Sequence, residues 1–425
     1  MPKGGTMTFK RFTNFTILLL ILFAFPTLRA QVTAIKAGKL IDPATGTTQT
    51  NVTILVEGKK IKSVGTDISI PAGAEVIDLP SMTVLPGLID CHTHLCEMIR
   101  VKDDPEYGFK VHYVDKTTVD RALDGVAAAY SFLEHGFTTV RDVGNSGEFA
   151  DISLRNALRR DLFPGPTMIT TGKIIAPFGG QFHANADNLE HALVDYFFAD
   201  THDEILKAIR TNLHLGADWI KIVVDDQRYI YSEEDIRFIV DECTKAGVKV
   251  AAHTVTEQGA INAIKGGVAS IEHAFTLSDE GLKLAKEKGT FLVGTDFPKI
   301  AWDLYRAPMM YPLVVDRLKR AYAIGTPMAF GSDLVIEVPG YSRGAATLEF
   351  LNTWVEAEIP NDYILKAMTT FAAELLDLTG KRGIIQDGAY ADIIATTENP
   401  LDDILALKNV GFVMKNGKVF KNSKK

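Results

Sequence analysis

Residues 85–95 read Leu-Pro-Gly-Leu-Ile-Asp-Cys-His-Thr-His-Leu, and the reading of this stretch decides the fold. Pro86-Gly87 turns the chain, so the strand beyond it starts abruptly. Leu88 and Ile89 open that apolar strand, which carries His92 and His94 at i and i+2. On a strand those two side chains leave the same face. Two imidazoles on one face, at the end of a buried strand, can grip one metal ion. Cys91 points the other way and is read as packing.

Downstream, strands and helices alternate as far as about Gly380. Ser232-Glu233-Glu234-Asp235 has the form of a capping box; Ile236, Ile239, Val240 and Cys243 come next at helical spacing, and Gly247 is the stop. Thr256 and Ser278 cap two more helices, which end at Gly266-Gly267 and Gly289. Units of roughly twenty residues in β-then-α order predict a parallel sheet. Eight strands can be counted, over residues 88–95, 138–144, 167–175, 219–225, 249–255, 270–275, 290–296 and 327–333. Eight β/α units predict an α/β fold of the (β/α)8 TIM-barrel kind. The alternative is an open doubly wound sheet, but no Gly-x-Gly-x-x-Gly follows the first strand.

Short strands flank this middle. Ala34-Ile35, Val52, Ile54 and Val56, Ile61 and Val64, and Val76-Ile77 precede it, with Glu57-Gly58 as a tight turn. After it come Gly383-Ile384-Ile385, Ile393-Ile394 and residues 410–419, the last with the hairpin signal Asn416-Gly417. The two ends are expected to build one small β-sandwich. The predicted organisation is a leader over 1–30, the first half of the β-sandwich over 31–82, a metal-dependent hydrolase barrel over 83–380, and the second half of the β-sandwich over 381–425.

Composition narrows the function. The chain has 425 residues, 46% hydrophobic and 23% charged, ample for one large domain and a smaller one. The formal net charge is -8 and no basic stripe appears, which excludes nucleic acid as a partner. Three cysteines, Cys91, Cys96 and Cys243, do not make a disulfide framework. Lys3, Lys10 and Arg11 precede an apolar run over 15–25, then Pro26 and Ala30, the pattern of a secretory leader. The run is shorter than the about 20 residues a membrane helix needs. Export to the periplasm or the exterior is expected, with no stable membrane span after cleavage. An uncleaved N-terminal anchor is the alternative.

In such a barrel the chemistry collects at the C-terminal ends of the strands. There lie His92 and His94, Lys221 inside an apolar strand, His253, His273 and Asp333. The chain has 10 histidines, and four of them fall at strand ends that should face one mouth. An ammonium cannot bind a metal. A buried lysine, however, is easily deprotonated, and its amine can add carbon dioxide to become a carbamate with two oxygens. The site is therefore expected to hold two divalent metal ions, zinc first. His92, His94 and Asp333 would hold one, His253 and His273 the other, with carboxylated Lys221 as the bridge. Two close cations would lower the pKa of a shared water, and Asp333 would act as general base, then acid. The reaction class is metal-assisted hydrolysis of a C–N bond.

This layout resembles the amidohydrolase superfamily, and more closely the imidazolonepropionase-related branch that includes Xaa-Pro dipeptidases and related carboxypeptidases. The resemblance covers nearly the whole chain past residue 31. It rests on Ala37-Gly38-Lys39-Leu40-Ile41-Asp42-Pro43, residues 85–95, Gly136-Phe137-Thr138-Thr139-Val140-Arg141-Asp142, Ala217-Asp218-Trp219-Ile220-Lys221, Ala252-His253, Ile271-Glu272-His273, Gly331-Ser332-Asp333 and Ala391-Asp392-Ile393. It implies a small amide substrate, a dipeptide or N-acyl amino acid. Where the family often has Gly-Gly-His-Gly, this chain has Gly179-Gly180-Gln181-Phe182-His183, so either His183 or Gln181 takes that place. Tyr231 matches a position that touches substrate in relatives, with Tyr229 and Arg228 as competitors. Arg228 or His183 would clamp a substrate carboxylate. A lactonase, ring-opening hydrolase or deaminase on the same scaffold is the alternative; Lys221 argues against the deaminases and imidazolonepropionases, which in this superfamily generally use one metal and lack the bridging lysine. A non-catalytic descendant would have lost ligands, and here every ligand position is filled. The oligomeric state stays open, a homo-oligomer included.

Overall fold

The structure is a computed structural model that describes residues 1, 4, 32–100, 111–181, 189–226 and 228–423. His183, and the expected leader apart from residues 1 and 4, lie outside the described residues. The chain opens with β1 (Val32–Asp42), β2 (Thr47–Glu57), β3 (Lys60–Gly65) and β4 (Glu75–Pro86). The middle supplies β5 (Leu88–Thr93), β6 (Phe137–Asp142), β7 (Thr167–Thr170), β8 (Ile174–Ala176) and β9 (Tyr196–Phe198). It continues with β10 (Ile220–Val223), β11 (Val250–Thr254), β12 (Ser270–His273) and β13 (Phe291–Val293). The chain closes with β14 (Ile393–Thr396), β15 (Val410–Lys415) and β16 (Lys418–Asn422).

The two chain ends do join, and their strands fold back on one another, with Ile61 N donating to Ala389 O at 2.9 Å and Gly388 N to Ile61 O at 2.8 Å. They form one mixed seven-stranded sheet, ordered β16-β15-β14-β4-β1-β2-β3. The seam is β14 on β4, antiparallel, with Ile394 opposite Leu85. Ile35, Val52, Ile54, Ile77, Ile393 and Phe412 share one buried core on this sheet. Residues 383–385, read as a strand, form none. Gly383 turns the backbone at φ 70, and Ile384 and Ile385 pack against the sheet core instead. The β15–β16 turn has two left-handed residues, Asn416 at φ 48 and Gly417 at φ 75, as a tight two-residue hairpin requires.

The middle is parallel, in two runs: β5-β6-β7 and β13-β12-β11-β10-β8-β9. The expected third strand, 167–175, is broken into β7 and β8. Gly172 turns between them at φ 70, and the Asn212 amide takes over the backbone bonds of Lys173, at 3.1 and 2.8 Å. Across the break, the Thr170 carbonyl accepts from Asp218 N at 2.8 Å and Trp219 N at 3.1 Å. The expected eighth strand, 327–333, makes no regular ladder. It lies between β13 and β5 on separate bonds: Leu292 N donates to Pro327 O at 2.8 Å, Cys91 N to Phe330 O at 2.8 Å and Asp333 N to His92 O at 2.7 Å. Gly331 makes this approach feasible, because a Cβ there would stand 2.4 Å from Val293 Cγ1 and 2.8 Å from His92 Cβ.

The helices start where their capping residues predict. Thr117, Thr201 and Ser232 close capping boxes with Asp120, Glu204 and Asp235. Thr256 and Ser278 cap the helices Glu257–Gly266 and Asp279–Lys288, and Gly267 and Gly289 end them in the left-handed conformation. Among the described residues no helix is long and apolar enough to cross a membrane. One small cluster, Ile89, Cys91, Ile169, Trp219, Ala251, Val293 and Ala329, draws a side chain from most of the parallel segments and is plugged by Ala372, Ala373, Leu375 and Leu376.

Candidate metal centre

Above that plug the strand ends bring the predicted side chains together. His92 and His253 lie next to the ends of β5 and β11, Lys221 sits inside β10, and His273 ends β12. Val223 pairs with His253, and Thr254 with His273, so the ladder itself sets their spacing. Asp333 is the hub. Its Oδ1 lies 3.2 Å from His94 Nε2 and 3.5 Å from His92 Nε2, and its Oδ2 lies 3.7 Å from His273 Nδ1. The rings of His92 and His94 are 5.2 Å apart, those of His92 and His273 5.1 Å, and those of His253 and His273 4.5 Å. Ligand atoms of His92, His273 and Asp333 all lie within 4.8 Å of one another. All six side chains are buried or nearly so, and Asp333 is the most open, at 18%.

Two of the imidazoles are held in place through Nδ1. His94 Nδ1 donates to the Gly144 carbonyl at 2.7 Å, which turns Nε2 towards Asp333. His92 Nδ1 bonds Glu272 Oε2 at 2.6 Å, while its buried Nε2 has no hydrogen-bond partner. An unpaired, buried imidazole nitrogen aimed at a carboxylate is costly unless something else takes its lone pair. Imidazoles with a carboxylate form the donor set that divalent transition metals take.

Behind His92 lies a network that the sequence did not reveal. Arg141 Nη2 donates to Glu272 Oε1 at 2.8 Å, Ser270 Oγ to the same oxygen at 2.5 Å, and Arg141 Nε to the Cys91 carbonyl at 2.5 Å. Arg141 and Glu272 are fully buried. Burial alone would raise the Glu272 carboxyl, but Arg141 and the His92 hydrogen bond hold it below the usual carboxylate range. The signal was present as two charges inside otherwise apolar strands, in Thr139-Val140-Arg141 and Ile271-Glu272. Nothing local says that they meet. Asp90 is a second clamp. Its Oδ1 accepts from His92 N at 3.0 Å and Ser332 N at 3.1 Å, tying β5 to the segment that carries Asp333.

The charges around the hub are skewed. Burial lowers His92 to about 3, so it is neutral. Burial works on His94 in the same direction, but the hydrogen bond and charge of Asp333 outweigh it and raise His94 to about 9. Burial and the neighbouring His253 push His273 far down. Asp333 resists burial because the hydrogen bond and charge of His94, with Lys221, hold its carboxyl below the usual range. Burial brings Lys221 down to about 8, against the pull of Glu272 and Asp333. Among the described residues the Lys221 amine has no hydrogen-bond partner and no ion pair.

The expected substrate contacts divide. Gln181 reaches the site: its Nε2 donates to His253 Nδ1 at 3.1 Å, and Tyr196 Oη donates to its Oε1 at 3.2 Å. Asp226 Oδ2 stands 3.5 Å from His253 Nε2. Arg228 is exposed in the loop after β10, as is Tyr229. Tyr231 is not brought to the cluster. It is buried, its hydroxyl donates to Ala199 O at 2.6 Å, and its charged neighbours are Asp200, Asp235 and Glu204. The reason is local: Tyr231 N returns to Val224 O and turns the ring towards the helix layer.

Fold and cluster together define a hydrolase that works with metal-binding side chains. The chain belongs to the amidohydrolase family, whose family model matches residues 83–420. An ochratoxinase from Aspergillus niger is 27% identical over 445 residues, covering 92% of this chain and 87% of that one. An imidazolonepropionase from Caldanaerobacter subterraneus subsp. tengcongensis is 25% identical over 384 residues, covering 83% and 85%. A solved Xaa-Pro dipeptidase with methionine bound in its active site is 30% identical, with a TM-score of 0.82 over 92% of this chain and 100% of that one. The protein is thus a metal-dependent hydrolase acting on C–N bonds, related to prolidases.

Proposed function

We propose that the chain hydrolyses the amide bond of a small substrate, an Xaa-Pro or similar dipeptide or an N-acyl amino acid, with two bridged divalent metals. The observation that carries this is Lys221, a buried amine without a partner, close enough to His92, His273 and Asp333 to shift their charge. As its carbamate it would bridge the two ions. His92, His94 and Asp333 would hold one and His253 and His273 the other. Bound there, such ions supply an activated water and a polarised carbonyl. Asp333, the most open of the group, takes the proton of the attacking water and returns it to the departing nitrogen. Glu272 and Gly144 hold the two β5 imidazoles in the orientation that work requires. Gln181, bonded to His253, would border the space where the substrate lies, and Arg228 or His183 would clamp its carboxylate. The scaffold reading that goes with this is a closed (β/α)8 barrel, supported by the bonds that tie residues 327–333 to both β13 and β5.

The likeness to a Xaa-Pro dipeptidase, and to a prolidase complexed with N-methylphosphonate-L-proline at 26% identity and a TM-score of 0.81, favours linear amides. The imidazolonepropionase relative favours a second reading, a ring-opening hydrolase. Metal analysis of the purified protein tests the bridged site. Two ions per chain are expected, and reconstitution of the stripped protein should need bicarbonate. One ion per chain, unchanged in Lys221→Ala, would sink the bridge. A panel of dipeptides, N-acyl amino acids, lactones and cyclic amides tests the substrate class. Turnover of rings alone would reject the dipeptidase reading.

A further inference from the structure

A second cleft lies at the other end of the parallel strands. It is a cavity of about 460 Å³ between the terminal sheet and the catalytic unit. It touches β7 at Thr167 and Met168, the strand's first two residues, so it opens away from the histidine cluster. Its walls are unusually cationic: Lys59, Arg155, Arg159, Arg382, Lys415 and Lys418 line it, against Asp161.

The pairing of these cations is incomplete. Arg382 and Lys415 share one carboxylate, Asp392, and both are buried. Lys415 Nζ lies 3.3 Å from each Asp392 oxygen and donates to Thr167 Oγ1 at 2.7 Å. Arg155 and Arg159 share Asp218, at 2.6 and 3.3 Å. Lys418 pairs with Asp161 at 2.8 Å. Lys59 has no ion pair among the described residues. Six cations therefore face three carboxylates around one cavity. Lys59, Arg159 and Lys418 are exposed, but Arg382 and Lys415 are buried on one carboxylate, and burying two cations against one anion is costly unless a further counter-charge completes it. Apolar wall is also on offer, since Phe163 and Val419 are each 43% exposed there. A cavity of this volume suits a small molecule.

We infer that this cleft binds a small organic oxyanion, a carboxylate or phosphate ester with an apolar body, which bridges the terminal sheet and the catalytic unit. The anion would accept from Lys59, Arg159 and the outward side of Arg382 and Lys415, and its apolar portion would cover Phe163 and Val419. Charge-assisted bonds to several donors give such a site its affinity.

Calorimetric titration of the metal-loaded protein with phenyl phosphate, and separately with benzoate, tests this. At least one of the two should bind one per chain, and which one binds tells phosphate from carboxylate. Saturation should raise the melting temperature by roughly 5 °C at a hundredfold excess over Kd. Lys59→Glu should weaken binding at least about tenfold and Arg159→Gln about threefold, each losing a charged contact. Both positions are exposed, so turnover without the anion should not change. The proposal falls if neither probe binds at concentrations on the order of 10 mM. It also falls if both variants bind like the parent, or if binding disappears when the metal is stripped, which would place the anion at the catalytic centre.

Discussion

Glu272 shows what one residue adds to this site. It never reaches the hub, yet it orients His92 and is itself held by Arg141 and Ser270. Glu272→Gln should lower metal occupancy and reduce kcat/KM by about 10- to 100-fold, measured on protein loaded at limiting metal. It should also destabilise the fold, because Arg141 would keep its buried charge without a counter-charge. Tyr231 gives the opposite expectation. Tyr231→Phe removes a hydrogen bond to Ala199 O and should cost about 1 kcal/mol in a denaturant titration. Its kcat/KM should stay within about twofold of the parent, as no reacting group is touched. The two residues also mark how far the sequence could be read. Histidines and an aspartate at strand ends were legible, because ligation demands particular side chains at particular spacings. Glu272 was not, since its partner His92 lies 180 residues away. Tyr231 was misplaced because a loop position does not say which way the ring turns.

At the scale of elements, the segment 327–333 is where pattern and structure diverge. Its apolar run predicts a strand, and capped helices at 233, 257 and 279 follow their signals closely. Yet the segment wedges in on single bonds rather than a ladder, because Phe330 N turns away to Ala367 O at 3.0 Å. The wedge depends on a missing side chain. Gly331→Ala would place a methyl against Val293 and His92, and should move Asp333 relative to both imidazoles. The expected result is a stability loss of about 1–3 kcal/mol and a kcat loss larger than any change in KM. The break at Gly172 was likewise invisible. The sequence shows a glycine in a strand, but not the Asn212 amide that replaces the lost ladder.

For the molecule as a whole, the terminal sheet is an electrostatic matter as well as a packing one. Burial brings Lys415 to about 8 in the folded protein, against 10.5 for the ordinary lysine. Between those values the unfolded chain holds more protons than the folded one, so the contribution of this group to stability rises with pH across that window. The slope is at most about 1.4 kcal/mol per pH unit. Urea unfolding at several pH values should show the rise, and Lys415→Met should flatten it. An oxyanion in the adjoining cleft should flatten it too, by favouring the charged amine. That both chain ends meet was legible from their matching short strands. That they make one sheet was not, because alternation along a strand does not reveal which strand lies beside it.

The seam between β14 and β4 has a consequence in time. β4 hands the chain to β5 across Gly87 alone, so the strand that presents His92 hangs from the terminal sheet. β1 is made before β4 and pairs with it, but the partner on the other edge of β4 is not synthesised until residues 393–396, and Asp333 arrives 241 residues after His92. A nascent chain thus carries its first two imidazoles long before anything can complete their surroundings. Contacts this distant in sequence form late and slowly. The molecule should remain unable to retain metal until nearly all of it has been made.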